Sequence, residues 1–314
     1  MLERNFKDIK ASIVIPTFNR ASDVIDCLNS ILQSDYKNIE IIVVDNASSD
    51  DTVAKIEENF SGKVKLIKAD VNLGAGGGRN RGAKEARGDY LLFVDSDNII
   101  DKKMIGELVD FFNNHDECGM VGPLMLYKKD PSIIWLYYAD INMFTSQAKY
   151  KGTGEKNIKQ YDEIIEVGHL PNCFMVKKDD FEKIGMFDEK YLIMYEEADL
   201  AEKIKKNLKK EIFIYSKAIT YHNVPLPNKN TVGNFGFQTV DRAYLTARNR
   251  VYFMRKNASL LQFLSFFFIF NPLILLYYEF MLSKRYEFKK AAAYFRGNID
   301  GFLNLSRVFK VIKS

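Results

Sequence analysis

The 314-residue chain is 47% hydrophobic and 27% charged, which supports one large domain with an appendage or two modest domains and excludes a disordered chain. Its net charge of +4 is unevenly placed: residues 283–314 carry eight Lys/Arg (Lys284, Arg285, Lys289, Lys290, Arg296, Arg307, Lys310, Lys313) against Glu287 and Asp300, so residues 1–282 sum to −2. A body without basic surplus argues against nucleic acid as partner. The three cysteines, Cys27, Cys118 and Cys173, are far apart and read as reduced thiols, and the charged start MLERNFKDIK does not read as a secretory signal.

In chain order, residues 12–16 (SIVIP) form a short β-branched apolar run. Val24, Cys27, Leu28, Ile31 and Leu32 follow at helical spacing, with Ser22 or Asp23 as the expected cap. Residues 40–44 (EIIVV) predict a buried strand ending at Asp45, residues 52–60 a helix and residues 63–68 a strand. A glycine-rich loop over 72–78 then opens a short helix to about Arg87, and residues 90–94 (YLLFV) predict a strand ending in Asp95-Ser96-Asp97. This alternation predicts an α/β fold with a mainly parallel sheet covered on both faces, and places a ligand at the carboxyl ends of the strands. Residues 127–168 read as long loops and short strands over that edge, 168–177 as a return to the sheet, 195–210 as a helix and 212–218 as a strand leading to His222. Pro225, Pro227 and Gly233 mark a linker, and residues 241–256 a further helix.

Two carboxylates flanking one residue after a buried strand suit a divalent cation, Mg²⁺ or Mn²⁺, held against a diphosphate; the bland alternative for Asp95 and Asp97 is a solvated turn. Asp45 at its strand end suits a nucleobase or ribose, or an ordinary turn. In the loop NLGAGGGR, Asn72, Gly76 and the backbone N–H groups at the helix start suit phosphate, with charge from Arg79 or Arg81. A dinucleotide fingerprint fits poorly there, because Arg79 stands at the last glycine position and the loop follows a later strand. Tyr195-Glu196-Glu197-Ala198-Asp199-Leu200 begins a helix. Helical geometry puts Glu197 on one face with Leu200, Ala201, Ile204 and Leu208, and Glu196 with Asp199 and Lys203 on another. Glu197 is therefore expected on the core-facing stripe, as a partly buried general base. His169, beside Leu170-Pro171, is placed on the acceptor side together with Asp199.

The ordered set IVIPTFNR, VVDNASSDDT, NLGAGGGRNRG, GDYLLFVDSDN, FMVKKDDFEKIGMFDEKY, YEEADL and the later His222 resembles the family 2 glycosyltransferases over roughly residues 11–225. These are inverting enzymes of the GT-A fold, and the likeness is to their rhamnosyltransferase-like nucleotide-sugar transferases. The resemblance implies that Pro16, Thr17 and Asp45 contact the nucleoside, that Asp95 and Asp97 manage metal and diphosphate, and that His222 is a further ligand. It implies that the acidic pair supplies the base, Glu197 first and Glu196 second; the family more often has Glu-Asp there. The QxxRW signature of processive synthases is absent. The implied reaction moves a sugar from a nucleoside-diphosphate sugar to a glycan or lipid-linked acceptor. A transferase to polyprenyl phosphate, a nucleotidyltransferase and a non-catalytic membrane-bound binding protein are the rivals.

Residues 258–278 (ASLLQFLSFFFIFNPLILLYY) carry no charge and are long enough to span a bilayer. Arg255 and Lys256 precede the stretch and the basic tail follows it, so a single span would place one basic flank outside. Asn271-Pro272 at its middle is expected to break the helix. A re-entrant or in-plane insertion with both flanks cytoplasmic is the expectation, on an anionic membrane surface. Phe295, Ile299, Phe302, Leu305, Phe309 and Ile312 then keep the helical spacing of a membrane-surface helix. The expected division is a catalytic domain over 1–225, a linker and amphipathic helix over 226–256, and a membrane-associated segment with its basic tail over 257–314.

Overall fold

The computed structural model describes residues 10–156, 162–227, 237 and 239–305. Gly233 of the expected linker and Arg307, Phe309, Lys310, Ile312 and Lys313 of the tail lie outside the described residues.

The first half alternates β1 (Ala11–Thr17), α1 (Ala21–Leu32), β2 (Ile39–Asp45), α2 (Thr52–Phe60), β3 (Lys65–Lys68), α3 (Gly74–Lys84) and β4 (Tyr90–Val94). β3, β2, β1 and β4 lie side by side and parallel. Both sheet faces are covered. Ile13, Ile15 and Leu92 pack on α1 with one set of buried apolar residues, while Val14, Ile42, Leu91 and Phe93 pack with Ala83 of α3 on the other. Such double burial explains why these strands read as unbroken apolar runs rather than alternating ones. α1 begins without a side-chain cap, its N-cap position being Arg20, so neither Ser22 nor Asp23 serves there.

The chain continues through β5 (Asn98–Ile100), α4 (Met104–Asn114), β6 (Cys118–Tyr127), β7 (Asp130–Leu136), β8 (Tyr138–Ile141), β9 (Ala148–Lys151), β10 (Ile164–Glu166), β11 (Cys173–Lys177), α5 (Lys178–Lys183), α6 (Glu196–Lys203) and β12 (Glu211–His222). β11 joins β4 and β6 in antiparallel fashion, and β12 runs parallel to β6. The short β5, not foreseen from the sequence, pairs Asn98 with His222 of β12. His222 is thus the last residue of a strand, not part of a following loop.

A helical bundle closes the chain: α7 (Val240–Asn257), α8 (Leu260–Ser265), α9 (Asn271–Lys284) and α10 (Phe288–Leu303). The break expected at Asn271-Pro272 does not occur. A continuous helix runs from Leu260 to Lys284, 25 residues that include an 18-residue window of mean hydropathy 1.9. Pro272 falls in the first turn of α9, and the wider π-turn over Phe266–Phe270 just before it accommodates the proline ring and its missing N–H. Asn271 is buried and holds three helices together: its Oδ1 accepts from Arg250 Nη2 of α7 at 2.8 Å and from Asn298 Nδ2 of α10 at 3.0 Å. α10 approaches α7 closely because Gly297 and Gly301 face it; a Cβ on Gly297 would stand 2.2 Å from the Tyr244 carbonyl oxygen.

Candidate active site

The carboxyl ends of β1, β2 and β4 bring Thr17, Asp45 and Asp95 to one edge of the sheet, as the alternating pattern predicts. Thr17 and Asp45 are direct register partners and both are buried. Asp45 accepts from the Ser48 N–H through Oδ2 at 3.0 Å, while its Oδ1, Thr17 Oγ1 and the neighbouring Asn46 Oδ1 are buried without a protein partner. Buried polar atoms left unpaired are costly, so three at one strand edge mark a place built to receive hydrogen bonds. Asn46 was not singled out from the sequence, although it directly follows Asp45.

The glycine-rich segment differs from its expectation. From Gly74 onward it is not a loop but helix α3 itself. Asn72 Oδ1 takes the Gly74 N–H at 2.9 Å and the Leu192 carbonyl takes the Ala75 N–H at 2.7 Å, so the first two N–H groups of the helix are already met by protein. The glycines serve close packing. A Cβ on Gly76 would lie 3.3 Å from Phe187 Cβ, and one on Gly78 3.1 Å from Pro16 Cβ.

Arg79 also departs from its expected place on the phosphate. It is fully buried, and its guanidinium reaches Asp95 Oδ1 at 2.7 Å, Glu197 Oε1 at 3.0 Å and Glu196 Oε1 at 3.5 Å. The rings of Phe174 and Phe187 flank it. Burial works against the Arg79 charge, but the carboxylates of Asp95, Glu197 and Glu196 outweigh it and hold its pKa above the ordinary value. Asp95 is pushed up to about 6 by burial, with Arg79 opposing and Asp97 and Glu197 adding to the rise. One cation thus ties the end of β4 to the start of α6.

On α6 the assignment of faces is corrected. Glu196 is 2% exposed, and the side chain of Glu197 is the more open of the two. The helix is covered on both sides: Leu200 and Ile204 pack into the sheet layer, while α7 covers the Glu196–Asp199 side. Glu196 Oε2 has no partner, and burial followed by the neighbouring Glu197 charge pushes its carboxyl well above the usual range. Asp199, expected toward the acceptor, is completely buried. It accepts from Tyr191 Oη at 3.2 Å, Asn257 Nδ2 at 2.9 Å and Lys256 Nζ at 2.8 Å, and so anchors α6 to α7.

His169 sits 6.2 Å from the Tyr150 ring, centroid to centroid, and both groups feel the Glu197 charge. Burial holds its pKa down to about 4, which keeps the imidazole neutral near pH 7, and its Nδ1 has no partner. Tyr150 escaped the sequence reading, since a lone Tyr in an irregular stretch carries no spacing signal.

Asp97 and His222 meet because β5 pairs with the end of β12: Asp97 Oδ1 lies 3.4 Å from His222 Nε2. Trp135, in an edge-on contact at 4.4 Å, fixes the imidazole plane. Burial opposes ionisation of Asp97, yet the bond to His222 and the charges of His222 and Arg20 hold its carboxyl below the usual range. Among the described residues no three His, Cys, Asp or Glu side chains converge on one point. The Asp97–His222 pair nevertheless fits Mg²⁺ or Mn²⁺, which take most ligands from water and a diphosphate and need only one or two from protein.

The profile of Glycosyl transferase family 2 matches residues 12–185, more than half of the chain. The chain belongs to this family. Its relatives include the amylovoran biosynthesis glycosyltransferase AmsB of Erwinia amylovora, 27% identical over 69% of this chain and 71% of AmsB. The glycosyltransferase GlyG of Streptococcus pneumoniae is 25% identical over 55% of this chain and 58% of GlyG. A shorter match, 36% identical over 29% of this chain and 36% of the relative, is to the UDP-Glc:alpha-D-GlcNAc-diphosphoundecaprenol beta-1,3-glucosyltransferase WfgD of Escherichia coli. Residues 1–349 of Staphylococcus aureus TarS share the fold at a TM-score of 0.53 and 16% identity, covering 97% of this glycosyltransferase and 95% of that chain. GalNAc-T7, solved with UDP, GalNAc and Mn²⁺, does so at a TM-score of 0.58 and 16% identity over 78% of this chain and 49% of that one. The fold is GT-A, as the order of motifs implied.

Proposed function

We propose that this glycosyltransferase moves a hexosyl group from a nucleoside-diphosphate sugar to a hydroxyl of a glycan or lipid-linked acceptor, with inversion. One observation carries the reading: the unpaired acceptors at Thr17 and Asp45, the Asp95–Arg79–Glu197 chain and the Asp97–His222 pair all open at one sheet edge. Pro16, Thr17 and Asp45 hold the nucleoside. Glu197 takes the proton of the acceptor hydroxyl, whose oxygen attacks the anomeric carbon from the face opposite the diphosphate. The bond from that carbon to the diphosphate oxygen breaks, and a nucleoside diphosphate leaves. His169, neutral and with its buried Nδ1 unpaired, is suited to orient the acceptor. Asp97 and His222 would hold the divalent ion, with Asp95 beside them on the diphosphate, and the ion would supply charge compensation for the departing diphosphate. A carboxylate base has a purpose for a neutral hydroxyl and none for a phosphate that is already an anion, which favours the hydroxyl acceptor over polyprenyl phosphate itself. The test is release of nucleoside diphosphate from a panel of UDP-, GDP- and dTDP-sugars with Mn²⁺, alone and with oligosaccharide or lipid-linked acceptors. Release of pyrophosphate, or no turnover of any donor, would reject the reading.

We propose further that the enzyme works on the cytoplasmic face of a membrane, lying on the bilayer rather than crossing it. The long helix is seated along α7 and α10, yet Leu273, Leu276, Tyr277 and Phe280, spaced as one helical face, are exposed. α10 is inverted in the same sense. Its buried residues are Ala291, Tyr294, Gly297, Asn298, Asp300 and Gly301, while Phe288, Phe295 and Ile299 face outward beside exposed Lys284, Arg285, Lys289 and Arg296. An apolar face with a basic collar suits an anionic bilayer surface. The double variant L276E/F280E is expected to lose at least about tenfold in binding to phosphatidylglycerol vesicles, given the apolar burial removed, while donor hydrolysis in solution is kept. Unchanged vesicle binding would remove this face as the contact.

A further inference from the structure

The proposed base is presented by a turn whose conformation is held in part by α7, which lies outside the family-matched region. Immediately before α6 the backbone takes three left-handed or positive-φ conformations at non-glycine residues, Leu192 at 63°, Met194 at 70° and Tyr195 at 70°. Leu192, with ψ of −61°, is the centre of a γ-turn closed by the Ile193 N–H on the Tyr191 carbonyl at 2.8 Å. That turn is of the rare, strained hand. Residues in such conformations persist only where the surroundings over-determine them.

Those surroundings lie on two helices. From α3, the Ala75 N–H donates to the Leu192 carbonyl at 2.7 Å. From α7, the side-chain amide of Asn249 donates to the carbonyls of Tyr191 and Ile193, each at 2.8 Å, and of Met194 at 3.1 Å. Two N–H bonds shared among three carbonyls leave the amide no freedom. Its orientation is fixed from behind, because Arg248 Nη1 donates to Asn249 Oδ1 at 2.7 Å and also to the Lys190 carbonyl. Asn249 is completely buried and Arg248 nearly so.

Building on the proposed function, we infer that Asn249 is a positioning residue: α7 aims Glu197 by fixing the Tyr191–Tyr195 turn, so the helix that seats the membrane-facing pair is also part of the catalytic apparatus. Asn249 touches neither substrate nor Glu197. It sets where α6 begins, and the direction of every side chain on the first turn follows.

The test uses the full chain as Asn249→Ala and Asn249→Ser, with Tyr244→Phe as control. Tyr244 donates to Asp300 of α10 at 2.9 Å within the same bundle. The readouts are kcat and KM for whichever of the UDP-, GDP- and dTDP-sugars the wild type hydrolyses fastest, and hydrogen exchange of the amides over 191–197. Asn249→Ala is expected to lower kcat about 100-fold, as an ångström-scale misplacement of a catalytic group does, with donor KM unchanged. Asn249→Ser, retaining one short donor, recovers part of the loss. Exchange over 191–197 accelerates in both, and Tyr244→Phe changes neither readout. Equal losses in Tyr244→Phe, or unaltered exchange over 191–197 in the Asn249 variants, would overturn the inference. If the wild type turns over no donor, the proposed function fails separately and the exchange comparison still decides this one. Should Asn249→Ala not fold, Asn249→Ser carries both measurements.

Discussion

Glu197→Gln is expected to lower transfer by about 10³-fold, within the range that removal of a positioned general base produces, while nucleoside diphosphate still binds. The amide keeps the length and most of the shape of the carboxylate and retains an oxygen for Arg79 Nη1, which lies 3.0 Å away. What it loses is the capacity to take a proton. Glu196→Gln is expected to be far milder. Its carboxyl is buried, one oxygen has no partner, and burial followed by the Glu197 charge disfavours ionisation, so an amide of the same shape costs little there. Parallel assays of the two variants, with nucleotide binding by calorimetry, discriminate them. A larger loss in Glu196→Gln would transfer the role to that residue, and the openness of the Glu197 side chain would have another cause.

The second large effect is expected at the Asp97–His222 pair. Asp97→Asn keeps volume and one oxygen but halves the donor set that a divalent ion can use. Transfer should fall about 10³-fold, the upper range for removing electrostatic stabilisation of a leaving group, and Mn²⁺ binding in the presence of nucleoside diphosphate should weaken in parallel. His222→Ala should cost less, because a nucleotide-bound ion draws its remaining ligands from phosphate and water. The wild type should lose activity in EDTA and regain it with Mn²⁺ or Mg²⁺. Full activity in EDTA would remove the ion from the reaction and leave the pair a structural one.

Much of the scaffold was legible because its physics is local. The runs at β1, β2 and β4 are apolar over a few residues, they alternate with helical spacing, and a polar residue stands at the end of β1 and β2 and directly after β4. That pattern alone fixes a parallel sheet buried on both faces, and it places Thr17, Asp45 and Asp95 at the ligand edge. The fully buried strands and the helix over Thr52–Phe60 needed no distant partner to be read.

Tertiary structure decided what depends on contacts between distant segments. Periodicity reports one covered face, so α6, covered by the sheet layer and by α7, gave the wrong answer on which of Glu196 and Glu197 is the more buried, and left Asp199 looking free when Lys256 and Asn257 hold it. A glycine run reads as a flexible loop until the neighbours that need the missing Cβ atoms, Pro16 and Phe187, are in place. Arg79 reads as a phosphate ligand until its three carboxylates are seen around it. Asp97 reaches His222 only through the pairing of Asn98 with β12, a register that no local propensity encodes. Hydropathy alone finds the apolar segment, but Pro272 reads as a break because the π-turn that accommodates it is set by packing. The apolar face of α10 at Phe295 and Ile299 is legible as helical spacing, but which side of that helix is buried rests on Gly297 and Gly301 turned toward α7, where close backbone approach, not side-chain hydrophobicity, decides.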